Sequence, residues 1–198
     1  MVLNKVQVER VIKERYRLSN RRVADDCMPI AVKQDGSISE SRLALAKVFR
    51  DSGFKRGVEV GVNAGAYSRM LCETIPGLEY YGVDTWPKPH RKTRAKKRVH
   101  EFNATLIQKT SMDALDDFED ESLDFVYIDA NHFYNHVAPD IIFWSEKVRK
   151  HGIVSGHDYY SFRRSGVVEA VNSYTHCNCI SPWFVTKDVE PSWFWVKS

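Results

Sequence analysis

The chain has 198 residues and carries 29 Lys and Arg against 26 Asp and Glu, a net charge of +3. That length suits one domain with a sizeable core and leaves little room for the separate substrate half of a dehydrogenase, while the charge is too small to announce a nucleic-acid partner. Cys27, Cys72, Cys177 and Cys179 form neither a C-x-x-C pair nor a disulfide framework, so a reduced, cytoplasmic protein is expected, with no signal peptide and no apolar run of the ~20 residues that cross a membrane.

In chain order, the charged stretch from Val2 to Arg17 with its spaced apolar positions predicts a helix, followed by a loop through Pro29 and Gly36. Ser37-Ile38-Ser39-Glu40 fits a capping box. It would open a helix bearing Leu43, Leu45, Ala46, Val48 and Phe49, stopped at Gly53. Residues 1–52 read as an N-terminal helical brace or a lid, ahead of a main domain over 53–198. From Gly57 strands and helices alternate: strand 57–62, helix 65–75, strand 79–84, helix about 89–103, strand 105–109, a short helix 112–117, strand 123–129, helix 134–150, strand 152–157 and helix 163–175. Alternation of this kind predicts a parallel sheet covered on both faces. Cys179–Thr186 and Pro191–Lys197 then read as a terminal antiparallel hairpin. Its aromatic residues Trp183, Phe184, Trp193, Phe194 and Trp195 suit either a core or a dimer face, and the oligomeric state stays open. His176 stands beside Cys177 and Cys179, but the spacing does not suit zinc and a fourth ligand is missing, so helix-end packing is expected.

The segment Gly57-Val58-Glu59-Val60-Gly61-Val62-Asn63-Ala64-Gly65-Ala66-Tyr67-Ser68 combines a β-branched strand, a glycine-bearing turn and a helix start. The next strand ends in Asp84, placed to accept both hydroxyls of a ribose. These two features predict a nucleoside-containing cofactor over the carboxyl ends of parallel strands. The spacing is not the G-x-G-x-x-G of dinucleotide sites. The other strand ends collect polar residues: Thr85 and Trp86 after the second, Ser111, Met112 and Asp113 after the third, Asp129, Asn131 and His132 after the fourth, and His157, Asp158 and Tyr159 after the fifth.

The run Glu59-x-Gly61-x-Asn63-x-Gly65 resembles the acidic-x-Gly-x-Gly-x-Gly motif of class I S-adenosylmethionine-dependent methyltransferases, with Asn63 at the middle glycine. Two further stretches, Ile128-Asp129-Ala130-Asn131-His132-Phe133-Tyr134 and Gly152 through His157-Asp158-Tyr159, resemble the IDG-x-H-x-Y and HDY motifs of a small O-methyltransferase-like branch, and Asp140 fits on the intervening helix. The resemblance covers about residues 55–160 and implies a Rossmann-like α/β three-layer sandwich with a mostly parallel seven-stranded sheet and a terminal antiparallel hairpin. It also implies site roles. Glu59 would lie near the methionine ammonium, and Gly61, Asn63, Ala64, Gly65 and Ser68 near the methionine and ribose. Asp84 and Thr85 would hold the ribose, Trp86 and Met112 would flank the adenine, and Ser111 or Asp113 would face its polar edge. Asp129 would also touch the cofactor.

For a hydroxyl acceptor the remaining chemistry is proton removal. His132 and His157 are the candidate bases, with Asp129 and Asp158 beside them. Asp129 and Asp158 could share a divalent cation such as magnesium (Mg2+), as acids from these two strands do in catechol-type O-methyltransferases. Those enzymes carry a further Asn after the second acid, where this chain has Tyr159. The expected activity is O-methylation of a small-molecule hydroxyl. One alternative is methylation of a nucleic acid or nucleotide. It is motivated by Lys88–His100, which holds seven Lys or Arg and two His in thirteen residues. The stretch could equally attract an anionic small acceptor, form a solvated helix face, or pair with the acids at 113, 116, 117 and 119–121. The remaining alternative is a non-catalytic or NAD-type nucleotide-binding module.

Overall fold

The computed structural model describes residues 3–22, 29–33, 41–160, 164–186 and 190–198. Helix α1 (Lys5–Arg15) leads into strands β1 (Tyr16–Arg22) and β2 (Pro29–Lys33), then helix α2 (Ser41–Asp51). The alternating part follows as β3 (Arg56–Val60), α3 (Ala66–Thr74), β4 (Glu79–Val83), α4 (Pro89–Val99), β5 (Ala104–Ile107), β6 (Leu123–Ile128), α5 (Tyr134–Lys147), β7 (Val148–Gly156) and α6 (Val167–Cys177). Strands β8 (Trp183–Thr186) and β9 (Trp193–Val196) close the chain.

The strands form one sheet in the order β1-β2-β8-β9-β7-β6-β3-β4-β5. Seven of them, β8 to β5 in that order, make the expected mostly parallel sheet. Within it β9 runs against both neighbours, β7 and β8. The hairpin of β1 and β2 extends this sheet at the β8 edge. The sequence reading placed a loop at Pro29, where the structure has a strand. Tyr16–Arg22 carries Arg17, Ser19, Asn20, Arg21 and Arg22, five polar or charged side chains in seven residues, so the apolar alternation that marks a half-buried strand is absent there. The expected capping box at 37–40 lies outside the described residues.

Strand periodicity sorts the core into two layers. On β6, Val126 and Ile128 join the layer under α5 and α6, together with Val58, Val60, Trp144 and Val154. The alternate residues Phe125 and Tyr127 face the other layer, where Val8, Ile12, Leu45, Phe49 and Leu71 supply α1, α2 and α3. The terminal strands obey the same rule. Trp193 and Trp195 enter the first layer, Phe194 and Val196 the second, and all four are buried. The aromatic end is therefore core.

Two boundaries move. Helix α5 ends at Lys147, not at 150, and the chain runs extended through β7 with a turn at His151, whose φ is +65°. Val148 is fully buried beside Trp144 at that junction. The expected helix at 112–117 is a single 3-10 turn at Leu115–Asp117. Cys177 and Cys179 are exposed free thiols at the end of α6, so they make no packing contribution there, while Cys72 is buried. Among the described residues no helix is long and apolar enough to cross a membrane.

Candidate active site

The parallel strands deliver their loops to one edge, where a cleft of about 1020 Å³ opens. Its floor begins at the turn after β3. Gly61 (φ +100°), Asn63 (φ +54°) and Gly65 (φ +77°) all adopt left-handed backbone. Asparagine tolerates that region better than most residues, which is how Asn63 substitutes for a glycine. A Cβ on Gly61 would stand 2.0 Å from the carbonyl oxygen of Asp129, and one on Gly65 2.8 Å from Cα of Ala95. Both glycines therefore let the turn press against β6 and α4. Gly61 also lines the cleft.

Asp84 organises the next loop. Its Oδ2 accepts the Asn63 N–H at 2.7 Å and its Oδ1 accepts the Trp86 N–H at 2.6 Å. A carboxylate offers about four lone-pair directions. Two remain, one on each oxygen, in a residue that lines the cleft. Thr85, Trp86, Ser111, Asp129, His132 and Asp158 line it as well. Trp86 differs from expectation: its ring is buried against Val62 and Ala95, its Nε1–H donates to the Asn63 carbonyl at 2.8 Å, and Lys92 Nζ sits 5.5 Å from the ring. It shapes the loop more than it offers an open stacking face.

Glu59, Ala64, Gly65, Ser68, Met112 and His157 are not among the cleft's lining residues. For Glu59 the cause is strand alternation. Val58 and Val60 point toward α5 and α6, so Glu59 points into the opposite layer. There Ser68 Oγ donates to its Oε2 at 2.5 Å and the Tyr80 hydroxyl donates to the same oxygen at 2.6 Å. Burial pushes this carboxyl up to about 7 against those two hydrogen bonds. Glu59 is a buried structural acid, and Ser68 is its partner. Met112 packs against the core instead of flanking an open pocket.

The tips of β6 and β7 carry the densest polar cluster. His132 Nε2 lies 2.6 Å from Asp158 Oδ2 and 3.6 Å from Asp129 Oδ1. Asp158 itself has a φ of +58°. The neighbouring carboxylates of Asp129 and Asp158 raise His132 to about 10 despite partial burial. The two carboxylates thus favour the charged form of His132. Burial would raise Asp158, but its bonds to His132 and His157 prevail and hold it well below the usual carboxylate range.

His157 lies buried behind them. Its Nδ1 is 2.9 Å from Asp158 Oδ1 and also 2.9 Å from Arg42 Nη2. A guanidinium only donates and a carboxylate only accepts. Nδ1 therefore serves one partner at a time, bare toward Arg42 or protonated toward Asp158. Arg42 Nη2 also reaches Asp129 Oδ2 at 3.2 Å. Sequence reasoning missed Arg42. A signal existed: it is the second residue of α2, and a cation at a helix N-terminus opposes the helix dipole.

Asp140, on α5, also lines the cleft. Burial raises its carboxyl to about 6 against a hydrogen bond from Ser111. Arg91, Lys109 and Arg164 contribute positive charge to the walls. Lys109 is engaged by Asp117 at 2.6 Å. Of the acids that could pair with α4, Asp113 bonds Thr110, Asp120 pairs with Lys147 and Glu121 with Lys197. Its exposed residues Arg91, Arg94, Lys96 and Lys97 form no ion pair among the described residues.

Ligand atoms of Asp129, His132 and Asp158 all lie within 4.8 Å of one another, a grouping that could hold a cation only with His132 unprotonated. Two carboxylates and an imidazole form a mixed O/N set, softer than the all-oxygen environment magnesium favours.

A family model described as a methyltransferase domain matches residues 58–159. An uncharacterized protein, y4gI, of Sinorhizobium fredii is 29% identical over 52% of this chain, and the chain spans only 13% of that relative's length. Among solved structures, the O-methyltransferase TomG of Streptomyces achromogenes, involved in tomaymycin synthesis and determined with S-adenosylmethionine, superposes with a TM-score of 0.64. It shares 13% identity and 84% of either chain is covered. An O-methyltransferase from Bacillus cereus in complex with S-adenosylhomocysteine gives 0.65 at 13% identity, covering 100% of this chain and 93% of its own. At such identities the likeness establishes the fold.

Proposed function

The chain belongs to the methyltransferase domain family, and we propose that it transfers a methyl group from S-adenosylmethionine to a hydroxyl oxygen of a small-molecule acceptor. The observation that carries this reading is the meeting, in one cleft, of an organised nucleoside acceptor with an acid and histidine cluster. Asp84 keeps two lone pairs for a ribose beside the left-handed turn, and Asp129, His132 and Asp158 stand across the cleft floor. Similar folds that hold S-adenosylmethionine or S-adenosylhomocysteine support the cofactor class.

The transfer is an in-line displacement. The acceptor oxygen bonds to the methyl carbon, the carbon–sulfur bond breaks, and the sulfonium leaves as a neutral thioether. The protein's chief task is to align oxygen, carbon and sulfur. The hydroxyl proton must also go somewhere. Asp158 faces the cleft, with His157 behind it, and we assign the proton to this pair. It enters at Asp158, whose Oδ1 lies 2.9 Å from His157 Nδ1. His132, in its charged form, would instead offset the negative charge that develops on the acceptor oxygen. Asp129, His132 and Asp158 would hold a divalent cation if one is used, and such an ion lowers the pKa of a bound hydroxyl.

The uncompensated face of α4, with Arg91 reaching the cleft wall, favours an acceptor that carries negative charge. Binding of RNA or DNA that weakens steeply with salt would turn this into a nucleic-acid activity. We read residues 1–52 as a brace on the domain, since α1 and α2 share its core.

Calorimetric titration of chelator-treated protein with S-adenosylhomocysteine, with and without magnesium or manganese, tests the reading. Micromolar binding is expected, followed by metal-dependent turnover in an acceptor screen. Tight binding of NAD with no response to S-adenosylhomocysteine would refute it.

A further inference from the structure

Resting on the methyl-transfer reading above, we infer that Arg164 selects the acceptor by binding an oxyanion, a carboxylate or a phosphate, that the acceptor carries besides its reacting hydroxyl. The cleft has two ends. The turn after β3, Asp84 and Ser111 form the end read as the nucleoside's, while Asp129, His132 and Asp158 form the end read as the acceptor's. A hydroxyl is too common a group to decide which molecule enters, so a second polar contact must fix identity and orientation. Three of the lining residues are Lys or Arg: Arg91, Lys109 and Arg164. Two of them belong to the nucleoside end. Lys109 follows β5 and pairs with Asp117 at 2.6 Å, and Arg91 stands on α4, beyond Asp84. Arg164 is the one at the acceptor end.

The backbone ties Arg164 to that end. The N–H of Gly166 donates to the carbonyl oxygen of His132 at 2.8 Å. A Cβ on Gly166 would stand 2.5 Å from Cβ of Tyr134 and 2.7 Å from its Cα, so the absence of a side chain lets the two segments touch. The stretch leading into α6 therefore rests on the stretch leading into α5, and Arg164 and Ser165 line the cleft beside His132. The guanidinium is available. Arg164 is exposed, and among the described residues it makes no hydrogen bond or ion pair. The acids of the cluster have other partners. Asp158 is 2.6 Å from His132 and 2.9 Å from His157, and Asp129 is 3.2 Å from Arg42. A guanidinium offers five N–H donors in a rigid fork, which matches the paired oxygens of a carboxylate or a phosphate.

The surroundings narrow the class further. Phe133, 49% exposed, and Tyr160 line the cleft on either side of the cluster, one after β6 and the other after β7. Flat apolar walls with one cation beside them suit a compact ring-bearing acceptor with a single anionic group. A polyanion would need a row of cations, which only α4 presents. The two basic features then act at different ranges. The face of α4 attracts anions toward the cleft, and Arg164 holds the one that enters. Arg164 lies outside the stretch matched by the family model, residues 58–159, so it is a feature of this chain's own acceptor choice.

The test loads the protein with S-adenosylhomocysteine and then titrates matched acceptors by calorimetry: gallate against gallamide, glucuronate against glucose, and inositol monophosphate against inositol. Wild type, Arg164→Ala and Arg164→Lys are compared, and turnover with S-adenosylmethionine follows for each compound that binds. In the wild type the anionic member of at least one pair should bind about tenfold to a hundredfold tighter, the usual effect of a hydrogen bond to a charged group. The pair that responds tells carboxylate from phosphate. Arg164→Ala should lose the preference, with the loss in turnover falling on KM more than on kcat, and Arg164→Lys should recover part of it. The Kd of Arg164→Ala for S-adenosylhomocysteine should stay within about threefold of the wild type, which reports both a folded variant and an intact cofactor site. An undiminished preference in Arg164→Ala, or an equal loss of cofactor affinity, would overturn the assignment. Should the wild type bind no S-adenosylhomocysteine, the methyl-transfer reading fails and the assignment fails with it. Cofactor binding without preference for any anionic acceptor sinks the Arg164 assignment alone.

Discussion

Glu59 offers the sharpest test of how the strand after α2 is used, because a cofactor role and a buried structural role predict different things. In the folded protein its carboxyl is raised from 4.5 to about 7, chiefly by burial, against the hydrogen bonds from Ser68 and Tyr80. A group whose folded pKa is raised binds its proton more tightly in the native state. Its contribution to stability is therefore complete below about pH 4.5 and is lost as pH rises through about 7. The displacement is about 2.5 in pKa, and at about 1.4 kcal/mol for each tenfold factor this gives at most about 3 kcal/mol. Glu59→Gln carries no titrating group at this position. Urea unfolding of both proteins between pH 4.5 and 8.5 isolates the residue, since every other group titrates in both. The difference in unfolding free energy, wild type minus variant, should fall by about 3 kcal/mol across that range and level off above about pH 8. Affinity for S-adenosylhomocysteine should change by no more than about threefold. A flat difference curve together with a loss of cofactor affinity of about tenfold or more would show that Glu59 faces the ligand, and would refute the argument from strand alternation.

Three further outcomes are expected. Asp84→Ala removes the acceptor for two backbone N–H groups and for the ribose, so cofactor affinity should fall by about tenfold to a hundredfold in calorimetry, with Asp84→Asn intermediate. Asp158→Ala should lower turnover by about a hundredfold or more while leaving the Kd for S-adenosylhomocysteine within about threefold. Unchanged turnover would remove Asp158 from the mechanism. Lys96→Glu with Lys97→Glu reverses charge on the exposed face of α4. It should lower kcat/KM for an anionic acceptor and flatten its dependence on ionic strength, with a neutral acceptor unaffected.

The alternating half of the fold was legible because each of its signals is local. β3, β4 and β6 carry runs of β-branched and aromatic residues, and the glycine turn and Asp84 fall at strand ends, where a parallel sheet collects its ligands. Asp129, His132 and Asp158 were found by the same rule, since topology alone brings strand tips together. What escaped was set by side-chain direction or by tertiary pairing. Position 59 lies in the expected motif, yet one step of the pleat carries its carboxylate into the layer beneath. Trp86 sits at the expected loop, but a left-handed backbone (φ +43°) and a bond to the Asn63 carbonyl turn its ring inward. Strand β2 draws its partner from β8, about 150 residues away, and nothing in a single pentapeptide announces such a pairing.

The N-terminal segment shows why the site cannot be understood from the matched residues 58–159 alone. Helix α1 buries Val8 and Ile12 in the same layer as Phe194 and Val196, and β2 pairs with β8, so the two ends of the chain meet at the far side of the sheet. Helix α2 buries Leu45, Ala46, Val48 and Phe49 against that layer, and Phe49 stacks on Phe125 of β6 at 4.0 Å. This packing fixes where α2 begins. A helix start with a cation in its first turn is electrostatically unfavourable by itself, but Asp129, at the end of that same β6 strand, compensates it at 3.2 Å. The stacking of Phe49 on β6 and the reach of Arg42 to the tip of β6 are thus two ends of one lever. Loosening the core contact would withdraw the guanidinium from Asp129 and His157 without touching a residue that lines the cleft. Coupling between the N-terminal segment and the Asp129 carboxylate then follows from packing, through two contacts on a single strand.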